Sequence, residues 1–240
     1  MFGDIKKQFC LRWDEIVLVP GLELGVFLLG ELMMVIAVYG MGEKDSIFPL
    51  GTVMAIVVPG MLMVFLGMSS LPLYFNILVS MGMSRRRLLP ALFGFAFLQN
   101  ILGVGIAYLF CLLEKWIMQI AYAGIQIEVD LQFLFQWKYI VPVCMAVVAL
   151  NAVMGALFLK YGNKVYTIFW VLWMMVCIGG QRMGHMLESG QDHAFSRIWR
   201  RVVGLFYGFS EGGILMAAVL ISAGLMAVAY RMLCKQQVML

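Results

Sequence analysis

Ser80-Met81-Gly82-Met83-Ser84-Arg85-Arg86-Arg87-Leu88-Leu89-Pro90 is the stretch whose reading decides the fold. It holds the chain's only run of three consecutive basic residues, and it separates two long apolar runs. No residue between Ser46 and Ser84 is charged, and none between Leu88 and Leu113. Short loops rich in Lys and Arg stay on the cytoplasmic side of a membrane, so three guanidiniums between two membrane-length segments assign this stretch a side. Ser84, small and polar, is placed to cap a helix that runs from Arg85 into the next apolar run. The plain reading is a topology anchor. The sharper one is a cytosolic elbow on which a soluble partner pushes.

Composition agrees with a membrane reading. The chain has 240 residues, 63% of them hydrophobic and 12% charged, with a mean hydropathy of +0.95. Soluble domains carry about 25% charged residues, and roughly 20 apolar residues cross a bilayer. Five apolar runs approach that length, and a further one does so if a single acid is tolerated, which leaves no stretch for a soluble catalytic domain. A net charge of +4 fits anchoring to acidic headgroups rather than to nucleic acid. The cysteines (Cys10, Cys111, Cys144, Cys177, Cys234) are odd in number and lack paired spacing, so neither a disulfide framework nor a metal motif is expected. Asp14, Glu15 and Glu23 interrupt the place of a signal-peptide core, so the first span is expected to act as the insertion signal.

In chain order, Phe2, Ile5, Phe9, Trp13 and Ile16 recur at helical spacing, predicting an interfacial amphipathic helix over 2–16. Pro20-Gly21 then allows a turn into the first span, about 20–39. The second span is predicted over 47–71, kinked at Pro59-Gly60. After Pro72 a short apolar helix, Leu73 to Met83, belongs to the elbow, which covers 73–87. Further spans follow over 88–113, 139–159, 165–180 and 204–230, with an outer loop and interfacial helix over 114–138. Tyr166, Trp170 and Trp173 read as an aromatic girdle. The fold class is therefore an all-α integral membrane protein, one domain of six transmembrane helices behind an N-terminal interfacial helix.

Candidate functional residues sit where an apolar medium makes polar groups expensive. Glu23 and Glu31 in the first span lie eight residues apart, hence roughly 80° around a helix and about 12 Å along it. Intramembrane acids face a bundle interior or a cavity and mark function, so both are pathway or subunit-contact candidates, as is Glu211 early in the sixth span. Gly204, Gly208 and Gly212, at four-residue spacing, form a small-residue ridge for close helix packing. His185, Glu188, Asp192 and His193 lack the spacing of a metal site and read as loop polarity. No phosphate-binding Gly-x-x-x-x-Gly-Lys-Ser/Thr and no Gly-x-Ser-x-Gly occurs, so no nucleotide or catalytic site is expected in this chain. The 21 methionines scatter over all spans and read as flexible packing.

In layout the chain resembles the ABC type-2 permeases, the membrane subunits of ATP-binding-cassette exporters. The likeness covers an interfacial helix, six spans, an elbow between spans two and three, and an outer polar segment before the last span. At residue level it is confined to Met81–Leu89. A Gly-x-Ser/Thr-Arg-Arg loop also occurs in exporter permeases with a large outer domain, but no loop here exceeds about 25 residues. The resemblance implies a multi-pass permease of the plasma membrane that pairs with a second, identical or different, permease. It implies two separate ABC ATPase subunits carrying ATP and Mg, and outward movement of a peptide, lipid-like or drug-like substrate. The family's elbow is a coupling helix, and that role carries onto 73–87, with Leu78 and Met81 as apolar anchors beside Gly82, Ser84, Arg85, Arg86 and Arg87. The alternative is a membrane-embedded peptide sensor or immunity protein that does not pump. A secondary transporter would call for inverted repeats with paired helix breaks, of which only Pro59 is a trace.

With the N-terminus inside, Lys6, Lys7, Arg12, Arg85, Arg86, Arg87, Lys160, Lys164, Arg231 and Lys235 are cytoplasmic, ten against seven basic residues outside. Both termini and Ser84 should then be cytosolic and Ser189 external. Single cysteines at 84 and 189 in a cysteine-free background test this with an impermeant thiol reagent applied from outside. Position 189 should label and 84 should not; the reverse pattern inverts the topology.

Overall fold

Apolar segments in a bilayer find no water for their backbone N–H and C=O groups, so they close those groups on themselves as helices. The computed structural model describes residues 11–40, 46–122, 125–127, 129–188 and 210–235. Among these are α1 (Trp13–Val35, extended by a π turn over Ile36–Gly40), α2 (Leu50–Ser80), α3 (Arg85–Ala121), α4 (Trp137–Tyr161), α5 (Asn163–Glu188) and α6 (Glu211–Lys235). Five of them, α1 with its π turn, α2, α3, α4 and α6, are long and apolar enough to cross a membrane, the make-up of a multi-pass membrane protein. The extended structure among the described residues is one parallel two-residue pairing, Ser46–Ile47 (β1) with Gln126–Ile127 (β2).

The quoted stretch forms a hydrogen-bonded joint. Helix α2 ends at Ser80, Gly82 takes φ +85°, and the amides of Gly82 and Met83 donate to the carbonyls of Val79 and Leu78. This is the Schellman arrangement, in which a left-handed glycine lets the chain fold back onto its last carbonyls. Its usual apolar contact is present, since Met83 packs on the cluster containing Leu78. Helix α3 then starts at Arg85 after Ser84, as expected, although the Ser84 side chain makes no capping bond. Instead the Ser84 carbonyl accepts the amides of Arg87 and Leu88. Beneath the joint, Leu71, Phe75 and Leu78 of α2 pack with Leu88, Leu89 and Leu92 of α3, Ala152 and Ala156 of α4, and Ala229 and Leu233 of α6.

The helices alternate in direction. Arg12 bonds to Ser70, and the Arg85 guanidinium donates to the carbonyl of Cys234, so the start of α1, the end of α2, the start of α3 and the end of α6 share one end. At the opposite end Met34, Val38, Ile47, Met118 and Tyr122 form a second cluster, and Tyr139 at the start of α4 bonds to Glu211 at the start of α6. Helices α4 and α6 share the most extensive interface, followed by α1 and α2. Glycines set the closest approaches. A Cβ on Gly30 of α1 would lie 2.7 Å from the Cα of Gly51 on α2, and one on Gly155 of α4 would lie 2.9 Å from Leu71. At Gly162, φ +66° and ψ −149°, a region open to glycine alone, turn the chain from α4 into α5.

Several sequence expectations differ from this architecture. Helix α1 runs unbroken through Pro20, so no turn separates an interfacial helix from the first span; residues 2–10 of that helix lie outside the described residues. Helix α2 likewise includes Pro59 and Pro72, which makes the elbow helix the last turns of the second span. Each proline forfeits one backbone bond, whereas breaking the helix in an apolar medium would strand several carbonyls and amides. Helix α3 has 37 residues rather than ending near Leu113, about 55 Å of rod against a hydrocarbon layer of about 30 Å. Trp170 and Trp173 gather on Phe65 of α2.

The Gly30–Gly51 crossing gives a stability prediction. Gly30→Ala puts a methyl against backbone that cannot rotate away, so α1 and α2 must separate, at about 1–3 kcal/mol. Gly21→Ala, with nothing within 4 Å of its Cβ, is the matched control. Thermal unfolding in detergent should show a lowered midpoint for the first and a parental one for the second.

Candidate functional site

Polar side chains inside the bundle form a series from the elbow end toward the opposite end. Arg12, 6% exposed, packs between the rings of Tyr74 and Phe95, each centroid 4.5 Å from its guanidinium carbon. Its Nε donates to Glu15 at 2.8 Å and its Nη2 to the Ser70 hydroxyl at 3.2 Å. These partners pin the start of α1 to α2 and α3. Above them lies a cavity of about 320 Å³ lined by Arg12, Glu15, Ser70, Gln99, Asn100 and Asn151 among apolar neighbours. Leu71 and Leu92, core residues of the elbow joint, form part of its wall. Asn151 donates to the Met63 carbonyl at 3.3 Å, its Oδ1 has no protein partner, and Gly67 leaves it room.

Met63 and Asn100 also line a second cavity of about 360 Å³, which continues toward the opposite end. Its wall includes Glu23 of α1, Pro59 and Gly60 of α2, Gly103 of α3 and Tyr139 of α4. Glu23 is 3% exposed, and its Oε2 has no hydrogen-bond partner among the described residues. Its Oε1 lies 3.1 Å from where a Cβ on Gly103 would sit, so the missing side chain there makes the carboxyl's room.

A third polar group closes the far end. Glu114, 1% exposed, accepts the amides of Gly51 at 2.9 Å and Thr52 at 2.8 Å. These are orphan donors of the first turn of α2, and a carboxylate there meets both the free amides and the positive end of the helix dipole. Glu31 stands beside it: its Oε1 and the Oε1 of Glu114 are 2.7 Å and 3.1 Å from the Cβ position of Gly51, so no more than about 6 Å apart. The Oε1 of Glu31 and the hydroxyl of Thr52 have no hydrogen-bond partner by geometry. Asp130, outside the spans, is held below the usual carboxylate range by the Gln132 amide and by Lys115.

The expected site residues therefore fall into separate places. Glu23 enters the second cavity, Glu31 joins Glu114, and Glu211 is exposed at the start of α6, paired with Lys138 at 2.8 Å and with Tyr139. Gly212 faces open space, and Gly204 and Gly208 lie outside the described residues. In the elbow, Leu78 is buried in the core, whereas Met81 is 73% exposed and Arg86 and Arg87 are exposed beside it. Sequence reading passed over Glu114 as loop. The signal was present, because Ala107, Cys111, Glu114 and Met118 continue the buried stripe of α3 at four- and three-residue steps. Arg12 falls within the interfacial helix expected over 2–16, and nothing in its spacing announces two aromatic rings from other helices.

Comparison with protein-family models, with curated proteins and with solved structures gives no match, so the site is read from its own chemistry.

Glu114→Ala leaves two amides at the head of α2 without a buried acceptor. Each such charge-assisted bond contributes about 1.5–3 kcal/mol, so the thermal midpoint should fall clearly. Lys115→Ala, which removes only the exposed pair with Asp130 at 3.0 Å, should cost under about 1 kcal/mol. Equal midpoints for the two variants would reject the cap as a structural anchor.

Proposed function

We propose that this chain is the membrane-spanning permease subunit of an ABC exporter. In this reading it works as a dimer with a second permease, receives its work from separate ATPase subunits that hold ATP and Mg, and moves a peptide, lipid-like or drug-like substrate outward. The observation that carries the reading is the pair of cavities inside the bundle, sharing Met63 and Asn100 and reaching from Arg12 near the elbow to Tyr139 near the other end. A sensor needs one binding surface; a permease needs room through the depth of the bundle.

The elbow supplies the mechanical side. No phosphate-loop sequence occurs in the chain, so an energy-coupled permease must take its stroke from another protein. Met81 protrudes beside Arg86 and Arg87 on a hydrogen-bonded joint, and the apolar residues under that joint include Leu71 and Leu92, which line the first cavity. A push on the joint is thus passed directly to a cavity wall. Apolar anchors supply affinity in such contacts and surrounding charges supply orientation. Since Leu78 is buried, the anchor is Met81.

The remaining features follow from this reading. In this reading α5, which lies in sequence between α4 and α6, is the sixth span. On the same reading the elbow end and both termini face the cytosol, and the spans cross the plasma membrane.

Met81→Asp retains every arginine and leaves the buried core untouched. ATPase copurification, or substrate-stimulated hydrolysis by the assembled complex, should fall at least tenfold. If both persist at the parental level with normal transport, the elbow is only an anchor. If no ATPase accompanies the parent protein at all, the sensor reading takes over.

A further inference from the structure

The second cavity carries more specific chemistry than the permease reading uses. Its wall is mostly apolar, contributed by α1, α2, α3, α4 and the short 3-10 turn Leu131–Phe135. At about 360 Å³ it lies in the range of small-molecule pockets, roughly 300–1,000 Å³. Among the described residues that line it, Glu23 is the one carboxyl group and none is Lys or Arg. The carboxyl is almost fully buried and one oxygen lacks a partner among the described residues. Gly103 keeps the space in front of it free of side chain, and Asn100, whose amide nitrogen donates to the Ala96 carbonyl at 2.8 Å, lines the same wall.

Such a pocket discriminates strongly by charge. Once ionised, a buried carboxyl without a cationic partner in the protein repels anions and gains nothing from neutral apolar molecules, and a bound cation is what keeps it ionised. A cation hydrated as tightly as sodium would surrender its water to a mainly hydrocarbon wall. The group that fits is a cation whose charge is already clothed in hydrocarbon: little hydration to lose, a large apolar surface for the wall, and one charge for Glu23. The aromatic residue Phe135 on the wall is of the kind that attracts such a cation.

We propose that the cavity around Glu23 is a binding site for lipophilic monocations, hydrophobic amines or quaternary onium compounds, with Glu23 as the counter-charge. As an assignment of substrate it rests on the permease reading; as a binding site it stands on the chain alone. Its test is therefore made on the purified full chain without any ATPase, so that loss of coupling at the elbow and loss of this site are read in different experiments.

Radiolabelled tetraphenylphosphonium is titrated against the chain in lipid nanodiscs, with neutral triphenylphosphine oxide as competitor. Saturable binding near one per chain is expected, weakly displaced by the neutral compound. Glu23→Gln should weaken it at least tenfold, and Val104→Trp, which fills the cavity without altering charge, should weaken it similarly. Absence of saturable binding to the parent, equal displacement by the neutral competitor, or parental affinity in Glu23→Gln each overturns the proposal. Should Glu23→Gln fail to fold, Val104→Trp and the neutral competitor decide the matter, parental affinity in the former counting against the site.

Discussion

The carboxylate of Glu114 on the amides of Gly51 and Thr52 is the contact on which the rest of the structure depends. A helix that starts inside a protein in an apolar medium must give its first amides an acceptor, and water is not at hand. Helix α3 brings that acceptor from its ninth turn. Gly51 also lies against Gly30, Phe27 and Glu31 of α1. One acid thus fixes the head of α2 against two neighbouring helices, and the small cluster of Met34, Ile47, Met118 and Tyr122 closes over it.

A common device accommodates the other buried polar groups. Glu23 lies over Gly103, Glu31 over Gly51 and Asn151 over Gly67, each pair bringing two different helices together. Small residues let helix backbones approach in membranes; here they also provide the volume a polar side chain occupies. The polar residue and its glycine are 80, 20 and 84 positions apart, respectively, in sequence, so no local pattern couples them. The Gly204, Gly208, Gly212 spacing was visible in the sequence because it is local, whereas the glycines that hold the described bundle together are scattered singly along α1, α2, α3 and α4.

The same distinction explains what was legible. Membrane-length apolar runs gave five helices correctly, because hydropathy is a sum over neighbours. The start of α3 at Arg85 was legible from Ser84 and the change in composition. Helix ends were less so: Pro59 and Pro72 read as a kink and a break, yet α2 passes through both. Propensity in water counts the bond a proline removes, but an apolar medium adds the larger cost of stopping. Glu114 was hidden for a related reason. Charge marked it as loop, while its partners, two backbone amides more than 60 residues away, carry no signature in side-chain sequence.

The joint at Gly82 and the cap at Glu114 sit at opposite ends of the same two helices. Helix α2 is bound to α3 at its tail by the Schellman turn and at its head by a carboxylate, so the pair is a closed frame rather than a hinged arm. Sliding α2 along α3 by one helical turn would break both fastenings together. Any rearrangement of this bundle that preserves its folded core must therefore carry α2 and α3 as one body. The relative motion falls on the surfaces they present to α1, α4 and α6, and both cavities lie along those surfaces.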